Sequence, residues 1–209
     1  MKKTMLALGI AATLVSGAAS AHEAGSWIVR AGAVHVMPTH VENTSNTASP
    51  ALGLDVNSNT QLGLTGTYMI TDNIGVELLA ATPFSHEIKL GSALVAKTKH
   101  LPPSLYAQYY FLNKDAKARP YVGAGINYTN FFDETEKLTG VTDLKLHDSW
   151  GLALNAGLDI NLTDNLLFNT AVYYAKIKTK ADFKLGGVQH SQDVRLDPLV
   201  FFMGLGYRF

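Results

Sequence analysis

Leu199-Val200-Phe201-Phe202-Met203-Gly204-Leu205-Gly206-Tyr207-Arg208-Phe209 ends the chain, and its two alternating phases differ in kind. Leu199, Phe201, Met203, Leu205, Tyr207 and Phe209 are large and apolar, while Val200, Phe202, Gly204, Gly206 and Arg208 form the other phase. Successive side chains of a strand point to opposite faces, so this period of two reads as a strand with one greasy, aromatic-ended face. The same reading holds for residues 61–71. There Leu62, Leu64, Tyr68 and Ile70 oppose Gln61, Gly63, Thr65, Thr67 and Met69. It holds again for residues 150–162, where Trp150, Leu152, Leu154, Ala156, Leu158, Ile160 and Leu162 oppose Gly151, Ala153, Asn155, Gly157, Asp159 and Asn161.

Working outward, eight alternating segments are expected, at 26–37, 60–71, 73–90, 95–112, 119–133, 144–162, 165–185 and 189–209. The connections at 72–73, 113–118 and 164–165 are short and rich in Asn and Asp, as tight turns require. Those at 38–59 and 133–143 are long and polar. An even strand count with short turns on one side and long loops on the other is the layout of a closed outer-membrane β-barrel. The fold class expected is therefore all-β, an eight-stranded antiparallel transmembrane barrel with short periplasmic turns and longer extracellular loops.

Soluble β-sandwiches and lipocalin-like barrels also alternate. Two features favour the membrane. The bulky phase is nearly free of charge over about ten residues, the length of a tilted membrane strand. It also carries Trp27, Tyr68, Tyr109, Tyr128, Trp150, Tyr174 and Tyr207, which suit an aromatic girdle. Lipid cannot satisfy the N–H and C=O groups of an edge strand, so the sheet has to close. Eight strands leave a bore that side chains nearly fill, so a wide diffusion pore is not expected.

Composition narrows the function. Of 209 residues, 16% are charged against about 25% in an average soluble domain, and 17 basic residues balance 17 acidic ones. A neutral chain has no basic face for nucleic acid. There are no cysteines, so no disulfide scaffold. Residues 1–21 read as a cleaved signal peptide. Lys2 and Lys3 precede an apolar run that is short for a spanning helix, and Ala19-Ser20-Ala21 has the form of a cleavage site. The barrel domain is then 22–209, in the bacterial outer membrane, with lipid as its first partner.

The inward phase supplies the candidate site. Gln61, Gln108, Asn127, Asn155 and Asn169 share it with Arg30, Glu77, Asp159 and Arg208, and these last four are expected to form a polar plug by pairing across the lumen. Leu79, Tyr173, Val200 and Phe202 break the polar rule. They suggest an apolar outer half of the lumen for an apolar guest, although plain interior packing would give the same phase. His40, His86, His100, His147 and His190 lie in or beside the longer connections and are read as solvated loop side chains. No metal site is expected from their spacing. No cofactor motif, phosphate loop or nucleophile elbow is present, and His147-Asp148-Ser149 cannot form a triad because strand neighbours face opposite ways. An enzyme is not expected; His86 or His147 would be the starting points for one.

The residues also resemble the outer-membrane protein W (OmpW) family. The resemblance is carried by Arg30-Ala31-Gly32, Asn59-Thr60-Gln61-Leu62-Gly63-Leu64-Thr65, the run from Thr71 to Phe84, and His100-Leu101-Pro102-Pro103. It continues through Arg119-Pro120-Tyr121-Val122-Gly123-Ala124-Gly125-Ile126-Asn127-Tyr128, Leu196-Asp197-Pro198 and Gly206-Tyr207-Arg208-Phe209. It implies a narrow hydrophobic channel that opens toward the outer leaflet and passively passes small hydrophobic molecules. In some members it implies a bacteriocin receptor. The alternative reading is a surface interaction protein whose extracellular loops, 38–59 above all, bind a bacteriocin, a phage or a host molecule. The family pairs a leucine and a tryptophan as a gate. The leucine falls on Leu79; the tryptophan position is Tyr173, a departure that bears on the seal.

Overall fold

Alternation builds fifteen strands among the described residues of the computed structural model, which are 22–39, 42–45, 54–90 and 92–209. The expected signal peptide, His40 and residues 41 and 46–53 of the 38–59 connection lie outside them. Eight strands close a ring: β1 (Trp27–Met37), β4 (Asn59–Met69), β5 (Ile74–Ala81), β8 (Ser104–Tyr110), β9 (Ala118–Glu136), β11 (Ser149–Asn161), β12 (Leu166–Ala175) and β15 (Leu199–Arg208). Each pairs antiparallel with the next, and β15 pairs back to β1 through Arg30↔Gly206 and Val34↔Phe202. Trp27 and Phe209 exchange backbone bonds of 3.3 and 2.9 Å, so both chain ends of the barrel sit on the short-turn side.

The greasy phase faces out. Leu62, Leu154 and Phe201 are 55%, 43% and 42% exposed. That is an apolar belt that water would not tolerate and lipid would. Aromatic pairs rim it: Trp27–Tyr68 and Tyr207–Phe209 at the short-turn end, Tyr128–Trp150 at the other. The chain is an all-β outer-membrane barrel.

Above the outer rim the wall continues, but not as the eight unbroken segments expected. Five of them break in two at similar heights, around Thr82-Pro83, Pro102-Pro103, His147-Asp148, Lys176-Ile177 and Leu196-Asp197-Pro198. Proline has no N–H for a ladder, which explains three of the breaks. Two sheets result. In one, β3 (Leu54–Val56), β6 (Phe84–Leu90) and β7 (Ala93–Leu101) extend the upper half of β9. In the other, β10 (Val141–Leu146), β13 (Lys178–Leu185), β14 (Val188–Arg195) and β2 (Glu42–Ser45) pair among themselves. The long connections thus carry strand structure, including two short strands within 38–59.

Candidate functional site: a polar plug beneath two apolar cavities

The lower half of the bore is filled by charge. Arg30 is fully buried between Asp159 and Glu77. Its Nε donates to Asp159 Oδ1 at 3.0 Å and its Nη2 to Oδ2 at 2.5 Å, while Nη1 donates to Glu77 Oε2 at 3.2 Å and to Thr67 Oγ1 at 2.8 Å. Asp159 also accepts from Asn169 Nδ2 at 2.7 Å and from His22 Nε2 at 2.9 Å. Glu77 accepts from Tyr173 Oη at 3.1 Å and Asn155 Nδ2 at 3.3 Å. The rings of Tyr110 and Tyr121 pack on each other 4.9 Å apart beside Arg30. Buried charges persist when every lone pair and proton finds a partner, and this cluster comes close to that.

Of the four residues expected in the plug, the structure joins Arg30, Glu77 and Asp159. Arg208 faces inward and is buried, but bonds Asn161 Oδ1 at 2.7 Å and the Asp164 carbonyl at 3.0 Å rather than either carboxylate. His22, Tyr110, Tyr121 and Arg119 are buried as well, beyond the residues expected from the sequence. Tyr110 and Tyr121 share the inward phase of Gln108 and Gly123, so the alternation held that signal. His22 precedes the first strand, where alternation says nothing. Room for the large side chains comes from glycine: a Cβ on Gly157 would sit 2.4 Å from the Tyr121 hydroxyl.

Above the plug the lining turns apolar. A cavity of about 30 Å³ is walled by Leu79, Tyr173, Val200 and Val34, with Tyr106 against Tyr173 at 5.5 Å. Leu79 and Tyr173 therefore line one space. The Tyr173 hydroxyl ties that wall to Glu77 of the plug. Phe202, 1% exposed, is buried one inward position nearer the plug, next to Gly63. A second cavity of about 120 Å³ lies higher, between the two extracellular sheets. Its walls include Ile88, Phe131, Leu146, Phe183 and Val194. Val36, His100, Ile177 and Pro198 border both cavities.

Two histidines correct the expectation of solvated loop rings. His86 and His100 are 3% and 6% exposed and stack in parallel 4.9 Å apart, with Phe84 5.4 Å from His100 and 6.4 Å from His86, and Phe131 beside His100. His86 Nδ1 donates to the Asn57 carbonyl at 2.7 Å. Both rings lie above the Tyr128–Trp150 rim. Burial holds the imidazole of His86 below its usual range despite that bond, and burial, with His86 alongside, lowers His100 to about 3. They are neutral, flat wall panels at pH 7. His147 faces out and bonds Asp182 at 2.8 Å, and His190 stacks on Phe183. Among the described residues no three histidines or carboxylates gather as metal ligands would.

The wall beside the lower cavity is incomplete. The β5–β8 ladder ends at Leu79↔Ser104, and the β6–β7 ladder begins at Phe84↔His100. Residues 80–83 and 101–103 share no ladder pair across this stretch. Three of those seven are prolines, which have no N–H to leave unpaired.

Residues 23–209 match the model of the OmpW family. The chain is 50% identical to outer membrane protein W of Salmonella typhimurium and 51% identical to that of Escherichia coli K12, with all of each chain covered. Among solved structures it is similar to the crystal structure of OprG from Pseudomonas aeruginosa, with a TM-score of 0.83 and 42% identity over 90% of this chain and 97% of that one. The solution structure of Escherichia coli outer membrane protein W matches with a TM-score of 0.64 and 51% identity, covering 90% of this chain and 100% of that one.

Proposed function

The chain belongs to the OmpW family of outer-membrane barrels, and from that premise we propose that it is a passive conduit for small hydrophobic molecules from the cell exterior to the outer leaflet. The observation that supports this reading most is the order of environments along the bore. Two apolar cavities lie above a hydrogen-bonded ionic plug, and an unpaired stretch of wall opens beside the lower cavity. An apolar guest gains about 25 cal/mol per Å² on leaving water. Cavities of roughly 150 Å³ lined by aliphatic and aromatic side chains accept benzene-sized guests, and the upper cavity is close to that size. Below the lower cavity the guest meets Tyr173 and Glu77, where continuing would separate buried charges. Beside it, the Leu79–Phe84 stretch of wall lies level with the Tyr128–Trp150 rim, where the proposed path meets the outer leaflet. No energy source is needed; flow follows the gradient.

Tyr173 sets the lower limit of the path. Its hydroxyl is held by Glu77 rather than turned into the cavity, so the ring presents carbon to the guest. The test is uptake of an apolar probe such as p-xylene by proteoliposomes carrying wild type, Leu79→Trp or Tyr173→Trp. Each tryptophan fills the lower cavity, and uptake is expected to fall several-fold in both. Wild-type rates in both variants would remove these residues from the path. The receptor reading rests largely on the 38–59 connection, of which 40–41 and 46–53 lie outside the described residues.

A further inference from the structure

The upper extracellular wall has a second seam, two strands round the ring from the unpaired stretch at 80–83. The β9–β11 ladder runs up to Ser149↔Thr129 and stops. Above that point β9 pairs with β7 in one sheet and β10 pairs with β13 in the other, and no ladder joins β9 to β10. Two bulges accompany the split. The β7–β9 register shifts next to Asp133 and the β10–β13 register shifts next to Asp143. Both aspartates take positive φ, 54° and 55°. Bulges bend an edge and terminate pairing, so the two arms of this hairpin diverge into different sheets and meet again only at the 137–140 turn.

Carboxylates close what the backbone leaves open. Glu136 Oε1 accepts from the Leu144 amide at 3.0 Å, and Glu134 Oε1 accepts from the Leu146 amide at 3.3 Å. At the base, Asp148 accepts from the Tyr128 hydroxyl at 2.6 Å and from Asn130 Nδ2 at 2.8 Å. The six residues of β10 make this a slit of about 20 Å at 3.3 Å per residue. Its lips are the cavity wall itself: Phe131 on one side, Val141, Leu144 and Leu146 on the other, all lining the upper cavity. One layer of side chains separates that cavity from the outside here. Parting a ladder would break a row of cooperative backbone bonds. Parting this seam breaks a few carboxylate bonds whose groups are half-exposed and rehydrate at once, so each costs only the modest net value of a hydrogen bond in water.

We propose that the β9–β10 slit is the inlet of the upper cavity, latched by Glu134 and Glu136. The inlet rests on the proposed passage of apolar guests, and its test separates the two. Exchange of p-xylene with the cavity is followed by NMR in lipid nanodiscs, with equilibrium affinity measured in parallel and empty nanodiscs subtracted. Glu134→Ala with Glu136→Ala unlatches the slit. The on- and off-rates should both rise at least fivefold while affinity stays within twofold, because neither carboxylate touches the guest. Asn130→Cys with Asp148→Cys, in a chain that has no other cysteine, locks the base when oxidised. Exchange should slow at least tenfold and recover on reduction. Unchanged exchange in both variants, with wild-type affinity intact, would overturn the inlet and leave the conduit standing. Absence of any saturable p-xylene binding to wild type would overturn both.

Discussion

Replacing Arg30 with methionine removes the cation that holds the plug together while leaving its carboxylates in place. Asp159 loses two of the four hydrogen bonds it accepts, keeping those from His22 and Asn169; Glu77 keeps Thr67, Asn155 and Tyr173. Both carboxylates are fully buried, so the loss is that of an uncompensated buried charge, about 3–5 kcal/mol. The triple change Arg30→Met, Glu77→Gln, Asp159→Asn removes charge of both signs and keeps the shape. It should return to within about 1–2 kcal/mol of wild type, since neutralising a buried ionic cluster as a whole is far cheaper than breaking it. Urea unfolding in phosphatidylcholine vesicles reads this out through tryptophan fluorescence. The chain's two tryptophans, Trp27 and Trp150, are outward, one at each rim of the belt, and leave the plug untouched. A loss under about 1 kcal/mol in Arg30→Met, or a triple variant weaker than the single one, would refute the view that ionic pairing rather than packing holds the lower bore.

Two further outcomes follow from the geometry. His86 and His100 are held below the usual imidazole range in the folded wall, so the unfolded segment binds protons that the folded one refuses; their stabilisation is complete above about pH 6.5 and drains away as pH falls toward the folded value of about 3 for His100. Hydrogen exchange at pH 7 and pH 4.5 should show lost protection in β6 and β7 with the lower barrel unchanged, and His86→Phe with His100→Phe should abolish that difference. Gly157→Val drives a side chain into Tyr121, while Gly66→Ala meets no atom within 4 Å. The first should cost about 1–3 kcal/mol of overpacking and the second under about 0.5 kcal/mol, and equal effects of the two would show that the bore at Tyr121 has slack.

Alternation made the barrel legible because membrane strands obey it more strictly than any other rule. Lipid penalises a charge on one face, and a narrow bore penalises bulk on the other. That is why Leu62, Leu154 and Phe201 could be turned outward, and Arg30, Glu77, Asp159, Leu79 and Tyr173 inward, from phase alone. Phase does not say which inward groups meet. Arg208 shares the phase of Arg30, yet it sits one inward layer closer to the chain end and bonds a turn carbonyl instead of a carboxylate. The buried histidines were missed for a related reason. Above the rim there is no lipid to enforce the pattern, and the phase slips by one at the Thr82-Pro83 break, putting His86 out of step with Glu77 and Leu79, while His100 keeps the inward phase of Gln108; polarity alone made both read as loop residues. The breaks at Pro83, Pro102 and Pro198 were visible as prolines, but that they fall at one height emerges only when strands from distant parts of the chain are set side by side.

The position of those prolines bears on how a guest could leave. In hydrocarbon, each unpaired backbone donor or acceptor costs several kcal/mol, so an ordinary ladder cannot part in the membrane to release cargo. Between Leu79↔Ser104 and Phe84↔His100 there is no ladder to part. Pro83, Pro102 and Pro103 bring no N–H to that stretch. The Pro103 carbonyl is taken by the Tyr128 amide, and the Thr82 amide is bonded to the Leu62 carbonyl on the opposite strand. The opening is therefore made without stranding many polar groups. A guest that has already left water for the apolar cavity loses no further hydration on moving from there into lipid, because acyl chains are as apolar as the side chains it leaves. Moving down instead means prising Tyr173 from Glu77 and entering a cluster whose bonds no hydrocarbon can replace. For the proposed guest, the same polar groups that make the lower bore solid would thus make the sideways route the low-energy one.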